Sequence, residues 1–149
     1  MSAALGTVDR WRRNVAVVAP PGAVEVRLPR LRGGRRAAAA RLAGLGSGTP
    51  VVISASAPLA RRRCRRFAAE NGIDLTRELL AFPSAAAPAY LVEDRPAPIR
   101  VFVQHALVTP PGLRLALPVD LGVGLVRAVA PSRLLRLLAP GLVAVGRLR

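Results

Sequence analysis

The apolar positions along this chain switch repeatedly between two periods. Asn14-Val-Ala-Val-Val-Ala19 is a short β-branched run stopped by Pro20-Pro21-Gly22, which predicts a strand and a turn. Ala23-Val-Glu-Val-Arg-Leu28 alternates with period two, as a half-buried strand does, so the two runs are expected to pair as a hairpin. After Gly33-Gly34 the alanine-rich stretch Arg35 to Leu45 predicts a helix closed by Gly44 and Gly46. Pro50-Val-Val-Ile-Ser54 is a continuous apolar run between turn signals, the pattern of a strand buried on both faces. Ser56 then stands as N-cap of a helix from Pro58 to about Asn71, with Gly72 as its stop. On that helix Ala60, Cys64, Phe67 and Ala68 fall at i, i+4, i+7 and i+8 and form one buried stripe.

Glu78-Leu-Leu-Ala-Phe82 and Ala89-Tyr-Leu-Val92 predict two further strands around a loop from Pro83 to Pro88. Ile99, Phe102, Val103, Ala106 and Leu107 fit the helical period after Pro96 and Pro98. Their β-branched content leaves a strand as the alternative. Leu121 to Val129 and Ser132 to Leu138 read as short helices divided by Pro131, and Gly141-Leu-Val-Ala-Val-Gly146 as a last strand. Strands alternating with helices predict a small three-layer α/β fold, a partly parallel sheet flanked by helices. The expected organisation is a flexible polar segment over 1–13 and a single α/β domain over 14–149.

Charge changes this picture more than size does. The 149 residues include 23 basic and 8 acidic side chains, a formal net charge of +15, and every basic residue is arginine. Arginine, alanine, proline and glycine are inflated together, which points to a GC-rich, bacterial coding bias. That bias does not explain the shortage of acids, so the basic excess also predicts anionic partners. A phosphorylated ligand, an acidic protein or a lipid surface would each serve. Sequence-specific nucleic-acid binding is not expected, because no recognition motif is present, the aromatics are only Trp11, Phe67, Phe82, Tyr90 and Phe102, and Phe67 falls on the buried stripe. One cysteine fits a reducing, cytoplasmic compartment. Met1 to Arg13 lacks the apolar core of a secretory signal, and Leu42 to Ala60 is too broken by glycine and proline to span a membrane. The stretch Leu121 to Leu138, apolar with interspersed arginines, adds peripheral attachment at the inner membrane face as an alternative.

Candidate chemistry is sparse. Gly44-Leu-Gly46-Ser-Gly48 follows a helix and precedes a strand, the reverse of a nucleotide-binding loop, and reads as a helix stop. The turn after Ser54 has the correct polarity, leading from a buried strand into an arginine-rich helix. Ser54, Ser56, Arg61 and Arg62 are therefore the candidate anion-binding residues, against the plain alternative that Ser56 only caps the helix. Arg61-Arg62-Arg63-Cys64-Arg65-Arg66 is either a solvated face or a surface for an anionic partner. Cys64 on the core stripe and His105 beside an apolar face read as structural rather than catalytic, and adjacent Glu93-Asp94 as facing solvent or pairing with arginine. One histidine, one cysteine and scattered carboxylates supply no usual metal-ligand set.

Residues 50–94 resemble the later part of class I S-adenosylmethionine-dependent methyltransferase-like proteins. The resemblance is carried by strand Val51-Val-Ile-Ser54, a helix ending Ala69-Glu-Asn-Gly-Ile73, strand Glu78 to Phe82, the Pro83-Ser84 loop and strand Ala89-Tyr-Leu-Val92. It implies a divergent transferase, with S-adenosylmethionine as the implied cofactor and envelope glycan synthesis as one setting. The chain departs from that pattern in lacking the acidic residue and glycines that follow a first strand. It also lacks the acidic residue that ends a second strand. The resemblance therefore assigns no functional residue here. The first reading is a non-catalytic binding or accessory module for an anionic partner.

Overall fold

The computed structural model describes residues 13–29, 34–56, 59–86, 88–105, 136 and 139–149. Besides a helical turn at residues 13–16, eight elements follow in order among the described residues: β1 (Val24–Leu28), α1 (Gly34–Ala40), β2 (Pro50–Ser56), α2 (Ala60–Glu70), β3 (Ile73–Phe82), β4 (Tyr90–Glu93), α3 (Pro96–His105) and β5 (Gly141–Leu148). They form a small α/β fold around an open five-stranded mixed sheet of order β1-β2-β5-β3-β4. The chain divides into two compact units, one of residues 1–91 with 139–149 and one of residues 92–138. The expected helices over 121–129 and 132–138 lie outside the described residues, Arg136 excepted.

Register assigns the two faces of the sheet in the first unit. β1 runs parallel to β2, while β5 runs antiparallel to both β2 and β3. Val52, Val143, Val145, Leu79 and Ala81 share one face and pack with Val15 and Ala85. On the opposite face Ile53, Ala144 and Glu78 are register partners. There Arg61 and Arg65 of α2 reach Glu78, so α2 covers that face. Its stripe is the expected one: Ala60, Cys64, Phe67 and Ala68 are all buried. Asn71 closes the helix, its backbone N–H donating to Phe67 O and Ala68 O, and Gly72 takes the positive φ of 64° that the exit needs.

Several expectations are corrected. Asn14 to Ala19 is not a strand: residues 13–16 are helical, and the Val18 and Ala19 amides both donate to Val15 O. Tertiary contacts override the β-branched preference, because Val15 is drawn into the core and the Asn14 side-chain amide donates to Pro88 O. The first hairpin therefore does not exist, and β1 takes β2 as its parallel neighbour. Ser56 does not cap α2. It is the last residue of β2, because Ala55 and Ser56 still pair with Leu142 and Gly141 of β5. The cap position falls to Leu59, in the left-handed region at φ 59° with no side-chain hydrogen bond. α1 ends at Ala40, where the 3₁₀-type bonds from Leu42 N to Ala39 O and from Ala43 N to Ala40 O tighten the chain well before Gly44. β3 is longer than expected and carries a bulge between Leu75 and Arg77, filled by Thr76, whose hydroxyl donates to Val145 O at 3.1 Å. In the second unit 96–105 is helical, the helix alternative, with Ile99 and Val103 buried. Ala106 and Leu107 lie outside the described residues.

Candidate functional site

Side chains two residues apart on a strand leave the sheet on the same face. Ser54 and Ser56 are so related on β2, and Arg27 of β1 is the register partner of Ser54. Three polar side chains thus gather on one face at the carboxyl ends of the parallel pair. They line an open cleft of about 220 Å³. Ala85 and Ala86, from the connection after β3, form its other wall, with Leu28 and Pro29 beside them. Ser54 is only 4% exposed, a polar group inside an otherwise apolar core, while Ser56 is half-buried and Arg27 exposed. Glu25, two residues earlier on the same face of β1, lies away from the cleft, and no acidic side chain is among its described lining residues.

The wall of the cleft is held by close approach. A Cβ on Gly141 would stand 2.6 Å from the backbone nitrogen of Ala85, so glycine lets the β3–β4 connection rest on the first residue of β5. The rim is held by Arg63. Its Nη1 donates to Ser56 O at 3.0 Å, and its Nη2 donates to Leu28 O at 3.1 Å and to Pro29 O. One guanidinium thereby ties the ends of β1 and β2 together.

The other expected site residues stand elsewhere. Arg61 is directed to Glu78 on the opposite face, Nε to Oε2 at 3.1 Å, and Arg62 is exposed on α2; neither lines the cleft. Burial of Glu78 raises its pKa, but the hydrogen bond from Arg65 and the charges of Arg61 and Arg65 outweigh it and hold the carboxyl below its ordinary value. Arg66 donates to Glu70 at 2.7 Å, and Arg35 of α1 stands 3.5 Å from the same carboxylate, so much of the arginine run is committed to ion pairs. Cys64 is fully buried, and desolvation pushes its thiol up to about 12 despite the neighbouring Arg63 charge. A thiol so placed is no nucleophile at neutral pH. His105 is exposed at the end of α3. Glu93 lies 3.5 Å from Arg95, and Asp94, its side chain buried, accepts from Arg136, so both acids pair with arginine as one of the two expectations had it.

Arg27, Arg63 and the two alanines were not singled out by sequence reading. The alternation through β1 does place Arg27 on a polar face, but the expected hairpin would have paired it with the wrong segment. Nothing distinguishes Arg63 from the other four arginines of its run until the strand ends are in place. Among the described residues, no three His, Cys, Asp or Glu side chains come together as a metal site. No helix among them is long and apolar enough to cross a membrane.

Comparison with protein-family models gives no match for this chain. Comparisons with curated proteins and with solved structures give none either.

Proposed function

We propose that this chain is a non-catalytic α/β binding or accessory protein that holds an anionic ligand in the cleft at the ends of β1 and β2. The observation that carries this reading is the grouping of Arg27, Ser54 and Ser56 on one sheet face, in a cleft with no carboxylate among its described lining residues. The carboxyl ends of parallel strands are where open α/β sheets take ligands. A buried serine there is a polar group in place for a ligand oxygen. Titrating the full chain with inorganic phosphate should move the amide resonances of residues 27, 54–56, 85 and 86. Arg27→Gln and Ser54→Ala should each weaken that response. Phosphate binding that leaves those amides unmoved would refute the reading.

A second reading, a divergent methyltransferase-like transferase, draws support from residues 50–94. They follow one another as β2, α2, β3 and β4, the order on which the resemblance rests. Thermal stabilisation of the chain by S-adenosylmethionine, unmatched by phosphate, would favour it over the first.

A further inference from the structure

We infer that Arg63 is the residue that makes this cleft an anion site, and that the ligand is a small phosphomonoester. The inference rests on the reading of the cleft just given and adds its ligand class and the source of its selectivity. The ends of β1 and β2 bring three carbonyl oxygens together, those of Leu28, Pro29 and Ser56. Left bare, such a rim presents only negative partial charge, which suits a hard cation and repels an anion. Arg63 engages all three oxygens with a planar, permanently charged fork. Arg63 does not itself line the cleft; what it adds is a permanent positive charge at the strand ends, behind Leu28, Pro29 and Ser56, where three carbonyl dipoles would otherwise stand alone.

Shape and size narrow the ligand. Ser54 and Ser56 lie roughly 6.6 Å apart along β2, and Arg27 stands about 4.8 Å across on β1. Donors arranged as a triangle converge on a tetrahedral oxyanion with three free oxygens better than on a planar carboxylate. The volume of this open cleft is about 220 Å³. It lies below the ordinary range of cofactor pockets, which begins near ~300 Å³. A phosphoryl group with a short carbon substituent fits, and Leu28, Pro29 and the two alanines give that substituent an apolar wall. A dinucleotide would not be enclosed.

The test uses the full chain with inorganic phosphate as probe, with affinity read from the cleft amides. Arg63→Gln is expected to weaken binding about tenfold or more. Arg63→Lys, which keeps the charge but cannot serve three carbonyls, should weaken it about threefold, and Arg62→Gln on the exposed side of the same helix not at all. Wild-type affinity should rise between pH 5.5 and 8.5 as inorganic phosphate loses its second proton, a step about one unit above the ~6 of a monoester. Phosphate that binds the cleft equally well in the Arg63 and Arg62 variants overturns the role of Arg63 and leaves the cleft reading standing. Affinity flat across that pH range overturns the dianionic ligand. Cleft amides that never respond overturn both this inference and the reading beneath it. If Arg63→Gln does not fold, the Arg63→Lys affinity and the pH profile decide the matter.

Discussion

Glu78→Gln tests how α2 is fixed to the sheet. Glu78 sits on the α2-facing side of β3 with its side chain 14% exposed, and two arginines converge on it. Arg65 makes a fork, Nε to Oε1 at 2.6 Å and Nη2 to Oε2 at 2.9 Å, while Arg61 adds Nε to Oε2 at 3.1 Å. Both arginine side chains are substantially exposed, at 55% and 38%, so solvent screens each pair. An exposed pair contributes roughly 0.2–1 kcal/mol, and two such pairs on one mostly buried carboxylate give about 1–2 kcal/mol. Glutamine keeps the shape and removes the charge. With a urea dependence of about 1–3 kcal/mol per molar, the unfolding midpoint at pH 7 should fall by roughly 0.5–1 M. Because the folded-state pKa of Glu78 is lowered, its contribution is fully present above the unfolded value near ~4.3. It is lost as pH falls through the folded value. The gap between wild type and variant should therefore be constant from pH 7 to about pH 5 and close towards pH 3. A gap of the same size at pH 7 and pH 3 would show that shape, not charge, holds α2.

Two other outcomes can be checked with simple assays. Gly141→Ala places a methyl group against the Ala85 backbone, and should cost about 1–3 kcal/mol in denaturant unfolding while weakening phosphate binding through the displaced cleft wall. Full stability with normal phosphate affinity would show that the β3–β4 connection yields freely. Cys64, with its thiol pushed up to about 12 by burial, should resist alkylation at pH 8 in the folded protein and react promptly in urea. Fast modification of the native chain would mean that α2 opens readily.

What the sequence made legible follows from how local each signal is. The stripe Ala60, Cys64, Phe67, Ala68 needs only helical periodicity and burial, and it stands as expected. The continuous apolar run at Val51 to Ile53 likewise implies burial on both faces, which β2 has between its neighbours in the sheet. The run Asn14 to Ala19 failed because its fate depends on Pro88, 74 residues away from Asn14, and on a core that no short window can see. Partner choice was invisible for the same reason: parallel pairing of β1 with β2 depends on the whole crossover, whereas adjacency in sequence suggested a hairpin. The candidate site was half legible. Strand polarity pointed to Ser54 and Ser56, but arginine number said nothing of direction. Arg61 points to a carboxylate on the far face, and Arg63, two positions on, bonds the strand ends.

The position of β5 has a consequence for how this molecule assembles. β5, residues 141–148, lies in the middle of the sheet, between β2 and β3, which do not pair with one another. Until it docks, β2 and β3 each present an unpaired edge, apolar at Val51 to Ile53 and at Leu79 to Ala81. Such edges invite pairing with other chains. Nearly every core contact across the centre of the sheet also joins residues far apart in sequence, which makes for slow closure. The hydrophobic seam that stabilises the finished protein is therefore the surface most exposed to misassembly while the chain is being made.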